Sequence, residues 1–239
     1  MIELKKLTKI YGKTIALNNL DLTINDGEIF GLIGHNGAGK STTIKSIVSV
    51  IEPTEGEIWV DGLNLKEHRD EIKRKIGYVS DSPDMFLKLD IMGYWNFLGT
   101  VFDIEESVLK ERIEELSRIF ELKASNTTIE DLSHGMRQKV FVIGALLPNP
   151  SLWILDEPMT GLDPQASYEL KKMMIKHAEE GNTVLFSTHV LEVAEKLCHR
   201  IGILKNGKLI FLGTMNELKD AHPEHSLEEI YLNMIKAFD

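Results

Sequence analysis

Residues 34–42 read GHNGAGKST, and the fold turns on what flanks them. Gly34 through Ser41 fit G-x-x-x-x-G-K-[ST], a pattern that holds phosphate only where a strand enters it and a helix leaves it. The neighbouring residues supply both. EIFGLIG, residues 28–34, is an apolar run of strand length leading straight into Gly34. TTIKSIVSVIEPTEG, residues 42–56, reads as a helix ended by Pro53 and Gly56. Gly37 and Gly39 let the backbone wrap closely enough for amide groups to reach phosphate oxygens. Lys40 supplies a point charge for the β- and γ-phosphates, and the Ser41 hydroxyl suits Mg²⁺. The candidate nucleotide-binding set is therefore Gly34, His35, Asn36, Gly37, Ala38, Gly39, Lys40, Ser41 and Thr42. A glycine-rich turn without a ligand leaves the flanking strand and helix unexplained.

Three further stretches fit a nucleotide site. LWILDEP, residues 152–158, is an apolar strand ending in two acids, which emerge at the C-terminal edge where open α/β sheets bind ligands. Asp156 suits a Walker-B role on Mg²⁺, and Glu157 is placed to polarise a water as general base. A bare Asp-Glu pair would otherwise read as a solvated strand end. His189 follows another apolar strand, NTVLFST, and is placed to contact a γ-phosphate as donor rather than base. LSHGMRQ, residues 132–138, is a Ser/Gly turn feeding a helix N-terminus, which is a second anion trap.

The rest of the chain predicts an α/β core interrupted near residues 82–147. IELKKLT and TIALNNLDLTI are short alternating strands, and EIWVDG and KIGYVS are further strands. From Pro83 the pattern turns helical. IMGYWNFLGTVF carries aromatics at helical spacing, and in EESVLKERIEELSRIF Leu109, Ile113, Leu116 and Phe120 recur four, three and four apart. Beyond Pro150, strand and helix alternate again, which predicts a mostly parallel sheet. The tail SLEEIYLNMIKAF places Leu227, Ile230, Tyr231, Met234, Ile235 and Phe238 on one helical face. That face suits docking on the protein's own body or, alternatively, on a partner.

Composition narrows the function. The 239 residues are 43% hydrophobic and 27% charged, an ordinary globular balance. A net charge of −10 argues against nucleic acid as the main partner, because phosphate backbones are met by clustered Lys and Arg. One cysteine, Cys198, excludes an intramolecular disulfide and suits a reducing compartment, as a core thiol within VLEVAEKLC. The longest uncharged apolar run, VFVIGALLP, is about half the length needed to cross a bilayer. The expectation is a protein soluble by itself, with any membrane role exercised through a partner.

Taken together, these motifs resemble the ATP-binding cassette (ABC) ATPases, which power membrane transporters, over essentially all of the chain. LSHGMRQ is similar to the family's signature motif, usually LSGGQ. Tyr11 matches the aromatic that stacks on adenine, Met159–Asp163 the D-loop, and His189 the switch histidine. The resemblance implies an α/β, P-loop NTPase fold with a mainly parallel sheet, an antiparallel β subdomain and an α-helical insert. It implies one ABC ATPase domain over 1–239. Residues 1–81 and 148–213 would form a RecA-like core with the β subdomain, 82–147 the helical subdomain carrying the signature, and 214–239 a helical tail.

The ligands so implied are ATP and Mg²⁺. Glu157 and His189 would be catalytic, Tyr11 would meet the adenine, and Ser41 and Asp156 would serve the metal. Two such domains stack head to tail, so Ser133 and Gly135 would meet the γ-phosphate of ATP held by the opposite chain's Lys40. The implied partners are a second ATPase subunit, identical or closely related, and transmembrane permease subunits, with this chain cytoplasmic and peripheral on the inner face of the cell membrane. The GMRQ ending, TGLDP and the SLEEIYL tail look like the short cytoplasmic ATPases of bacterial exporters of drugs, bacteriocins or sodium.

Two departures stand out. IGYVSDSP places Ser80 and Asp81 where Pro-Gln is usual, so Asp81 is either a metal or water contact or only a loop acid. His134 replaces a signature glycine, which leaves close backbone approach to Gly135. Competing classes are a soluble assembly scaffold and a nucleotide-binding regulator that does not hydrolyse; Glu157 and His189 count against the latter.

Overall fold

Three runs in which every residue is buried, IFGLI, LWIL and TVLFST, form the middle of a sheet covered on both faces. The computed structural model describes residues 1–82, 84–123, 125–221 and 223–237. The chain opens with β1 (Ile2–Tyr11), β2 (Thr14–Ile24), β3 (Ile29–Ile33) and α1 (Lys40–Ile47). β4 (Glu55–Val60), β5 (Leu63–Asn64), α2 (Arg69–Arg74) and β6 (Ile76–Val79) come next. Three helices follow, α3 (Ile91–Val101), α4 (Glu106–Ile119) and α5 (His134–Leu146). Strand and helix then alternate through β7 (Leu152–Leu155), α6 (Pro164–Glu179), β8 (Thr183–Thr188), α7 (Leu191–Leu197) and β9 (Arg200–Lys205). The hairpin strand β10 (Lys208–Gly213), α8 (Met215–Asp220) and α9 (Leu227–Ala237) complete it.

The larger sheet has the order β10-β9-β3-β8-β7-β6 and is parallel except for β10. Its register pairs Ile33 with Thr188, Phe186 with Leu155, and Leu155 with Val79, so β3, β8, β7 and β6 all finish at one edge. The residues leaving that edge are those of the glycine loop, His189, Asp156 with Glu157, and Ser80 with Asp81. This is the crevice in which open α/β sheets bind ligands.

A second, antiparallel sheet, β2-β1-β4-β5, shares a core with α1 and one face of the parallel sheet, through Leu17, Leu20, Ile44, Ile47, Phe30 and Leu32. On the other face lie α3, α4, α5 and α6. Leu109, Ile113, Leu116 and Phe120 are all buried, as their spacing predicts. Trp95 is fully buried and donates its indole N–H to the Val140 carbonyl at 3.1 Å. These helices share one apolar cluster with Val79, Trp153, Leu155 and Phe186 of the sheet and Leu170 and Met174 of α6. The helical insert therefore rests on the sheet through continuous side-chain packing rather than a separate core.

Local details differ from the sequence reading. The first helix ends at Ile47, well before Pro53. Ser49 adopts φ 58, its N–H donates to the Ser46 carbonyl at 3.1 Å, and the Val50 N–H donates to Lys45 at 2.8 Å. That is a Schellman stop with serine where glycine is usual, so its composition gave no signal. Helix α2 also lay in a stretch without a sequence assignment. Cys198 closes α7 half-buried, its sulfur against Gly31, and burial raises its thiol pKa. On the tail face Ile230 is buried and Leu227, Tyr231 and Met234 pack on the same cluster, which favours the protein's own body as the docking surface. Pro83 and Phe238 lie outside the described residues.

Candidate active site

The glycine loop is held in shape from two sides. Gly37 and Gly39 have φ of 83° and 112°, the left-handed region that a side chain disfavours. A Cβ on Gly39 would also meet the Ala16 carbonyl and Leu17 at 2.9 Å, because β2 runs directly behind the loop. From the β9–β10 turn, the Gly207 N–H donates to the Ala38 carbonyl at 2.9 Å. Helix α1 starts at Lys40, and its first-turn amides, which have no partner within the helix, favour an anion together with the helix dipole.

Lys40 is buried beneath this loop. Its Nζ donates to the Gly34 carbonyl at 2.7 Å and the His35 carbonyl at 3.4 Å, and lies 3.3 Å from Glu157 Oε1. Glu157 itself sits at φ 47, strained for a residue with a Cβ. Its backbone N–H donates to Ser187 Oγ at 2.9 Å, and its second carboxylate oxygen lies 3.0 Å from His189 Nδ1. One carboxylate thus bridges Lys40 and His189, two of the residues singled out in the sequence.

Asp156 is fully buried and Oδ1 accepts from Ser187 Oγ at 2.5 Å. Its other oxygen, Oδ2, has no hydrogen-bond partner. Burial raises the Asp156 pKa, the Ser187 hydrogen bond opposes that rise, and Asp81 adds to it by like charge. Asp81 in turn accepts from Ser80 Oγ at 3.1 Å and lies 3.7 Å from Lys45 Nζ. An unpaired buried carboxylate oxygen is costly unless a cation meets it. Among the described residues no group of three or more His, Cys, Asp or Glu side chains is arranged to hold a metal. One carboxylate, a serine hydroxyl and substrate phosphates are the donor set Mg²⁺ prefers, so these residues fit that ion.

The raised pKa carries a sign for stability. An Asp whose folded pKa lies above the unfolded value of about 3.9 costs stability when ionised, and the cost disappears as pH falls through the folded pKa. Asp156→Asn keeps an oxygen for Ser187 and removes the charge. It is expected to raise the melting temperature at pH 7 by a few degrees, with the advantage shrinking as pH falls toward 4. Thermal unfolding of both proteins across that range checks it; a lower melting temperature at pH 7 would contradict it.

The other candidates lie apart from this cluster. Tyr11 is exposed at the end of β1, with Lys9 Nζ 5.1 Å from its ring centre. Ser133 caps α5, its Oγ accepting from the Met136 N–H at 3.3 Å, and is exposed. Gly135 is constrained within its own chain, since a Cβ there would come 2.4 Å from the Gly161 carbonyl. A Cβ on Gly161 would meet the His134 ring at 2.3 Å, so the histidine lies against the loop that follows Glu157. The same loop receives a hydrogen bond from the buried Gln138 to the Pro158 carbonyl at 3.3 Å and an ion pair from Lys139 to Asp163 at 2.7 Å.

Sequence reasoning missed Ser187, which touches both acids. Its only signal was a polar residue near the end of the buried strand TVLFST. Gln138, Lys139 and Gly207 were also missed, because each acts through a contact distant in sequence.

A glycine loop between strand and helix, with two acids at the end of a buried parallel strand, defines a P-loop nucleoside triphosphatase. The chain belongs to the ABC transporter family, whose family model matches residues 17–160. It is an ATPase and an ATP-binding subunit of a transporter. A Nod factor export ATP-binding protein I from Cupriavidus pinatubonensis is 32% identical over 232 residues, covering 97% of this chain and 71% of the relative. The solved structure of an ATP-binding subunit of an ABC transporter superposes with a TM-score of 0.91 at 32% identity, covering 98% of this chain and 99% of its own. An ATP-binding cassette solved as a dimer in a post-hydrolysis state, bound to ADP and Pi, gives a TM-score of 0.81 at 29% identity, covering 90% of this chain and 99% of its own. Among the described residues no helix is long and apolar enough to cross a membrane.

Proposed function

We propose that two copies of this chain, or one copy and a close relative, close head to tail around two ATP molecules and so drive a separately encoded membrane permease. The observation that carries this reading is the exposed N-terminus of α5. Ser133 and His134 face solvent, while the Lys40–Glu157 ion pair lies beneath the glycine loop of the same chain. A second anion trap outside the first is explained if it completes the site of a neighbour. The dimeric relative bound to ADP and Pi supports this arrangement.

Within each site the phosphates of ATP take the place of Glu157 as the counter-charge of Lys40. Glu157, held by the Ser187 hydrogen bond to its backbone and by His189, accepts the proton of the attacking water. His189, whose Nδ1 lies beside Glu157, donates to the γ-phosphate. Tyr11 stacks on the adenine. Ser41, Asp156 and Asp81 would hold Mg²⁺, which when bound would neutralise phosphate charge.

The export direction rests on the name of the Cupriavidus relative and on the likeness of the tail. The permease partner places the chain on the cytoplasmic face of a membrane. Residues 82–147 act as the signature-bearing subdomain and 214–239 as a tail docked on the core. Light scattering on the Glu157→Gln chain with saturating ATP tests the shared site. The expected species is a dimer that dissociates when nucleotide is removed; a persistent monomer alongside a wild type that hydrolyses well would contradict it.

A further inference from the structure

Strand β1 ends in Lys9-Ile10-Tyr11, and the loop between α1 and β4 is stitched to it from the side. The Thr54 N–H donates to the Thr8 carbonyl at 2.7 Å, and the Ile10 N–H donates to Thr54 Oγ1 at 3.0 Å. Earlier in the same loop, the Glu52 carbonyl accepts from Lys9 Nζ at 2.6 Å. That bond fixes the ammonium where it lies over the Tyr11 ring, 5.1 Å from the centroid and within cation–π range. Tyr11 is 48% exposed, so the ring is held from one side and remains open to solvent. The loop continues from the C-terminal end of α1, where the Val50 and Ile51 N–H groups donate to the Lys45 carbonyl at 2.8 and 3.2 Å. One helix thus carries Lys40 at its start and, through Glu52, anchors Lys9 against Tyr11 beyond its end.

We propose that Lys9 is a positioning residue for the base of ATP: pinned on Glu52, it restrains the Tyr11 ring in the orientation that receives adenine. This rests on the reading of Tyr11 as the adenine platform. An exposed tyrosine at a strand end samples several rotamers, and ordering it on binding costs affinity. An ammonium over one face removes part of that cost in advance and leaves the opposite face for the base. Lys9 is itself held by a backbone carbonyl, so the restraint does not depend on a second mobile side chain. Because the loop carrying Glu52 grows out of α1, the platform and the phosphate loop keep a fixed spacing. That spacing suits a ligand with a base at one end and a phosphate chain at the other. Lys9 acts through Tyr11, so its effect falls on binding of the base and leaves the chemical step alone.

The test sets the affinity of the full chain for ATP against its affinity for inorganic tripolyphosphate, both with Mg²⁺, in Lys9→Met, Lys9→Arg and Tyr11→Ala. Methionine keeps the aliphatic length and removes the charge and the donor; arginine restores both. In Lys9→Met the Kd and KM for ATP are expected to rise about 2- to 5-fold, the worth of an exposed cation–π contact. Tripolyphosphate binding and kcat are expected to stay unchanged, and Lys9→Arg to bind ATP close to wild type. Tyr11→Ala is expected to lose more, roughly tenfold, again on ATP alone. If Lys9→Met weakens ATP and tripolyphosphate alike, Lys9 acts as a charge near the phosphates; if it weakens neither, Lys9 serves only the fold. Either result overturns the positioning role, and the platform reading stands as long as Tyr11→Ala still loses ATP. If Tyr11→Ala binds ATP like wild type, the adenine lies elsewhere and the role of Lys9 falls with the platform.

Discussion

Glu157→Gln is expected to lower steady-state ATP turnover by roughly 10²- to 10⁴-fold, the range for loss of a positioned general base, while ATP binding persists. The geometry gives the reason for both halves. Glu157 is held at φ 47 by its own N–H on Ser187, and glutamine fits that backbone equally well. The amide still meets Lys40 and His189 but accepts a proton poorly. Removing a carboxylate next to Lys40 also removes a charge that competes with phosphate, so affinity is expected to hold or rise. Phosphate release measured at saturating ATP, with nucleotide titration in parallel, separates the two effects. Turnover within about tenfold of wild type would assign the proton to another group.

Lys40→Ala is expected to act at the earlier step. Its Nζ is the buried cation beneath the loop, with carbonyls of Gly34 and His35 and the Glu157 carboxylate around it. Alanine leaves those acceptors facing one another with no donor between them, and phosphate would enter against unopposed Glu157 charge. ATP affinity is expected to fall by roughly 10- to 100-fold, the scale of a charged hydrogen bond, and turnover to fall with it. Equilibrium titration with a fluorescent ATP analogue reads the loss; an unchanged Kd would remove the glycine loop from the binding site.

The parts legible in the sequence were those written in local spacing. GHNGAGKST fixes loop curvature and charge within nine residues. LWILDEP places its acids through the burial of the strand before them, and Leu109 to Phe120 declare their buried face by period alone. The parts not legible depend on contacts between distant segments. Ser187 orients Glu157 from the neighbouring strand, and Gly207 holds Ala38 from the last hairpin. Gly135 illustrates the difference well. The family resemblance asks for a glycine there because a partner's phosphate approaches, yet the chain's own Gly161 carbonyl already demands one.

The helix that offers Ser133 is tied through Gln138, Lys139 and His134 to the loop following Glu157 of the same chain. If that helix end serves a neighbour's site, as proposed, a shift of the loop on hydrolysis would be felt there through a packed connection rather than a long-range one.

The shared site is tested most directly by mixing two inactive chains, one Glu157→Gln and one Ser133→Arg, before ATP is added. If Lys40 and Glu157 of one chain work against Ser133 of the other, each mixed dimer contains one site with both residues intact. Phosphate release is then expected to recover to roughly a quarter of wild type, since about half of the dimers are mixed and each has one working site. If the mixture releases no more phosphate than either variant alone, although the two chains are shown to exchange, every site is built within one chain and the account is contradicted.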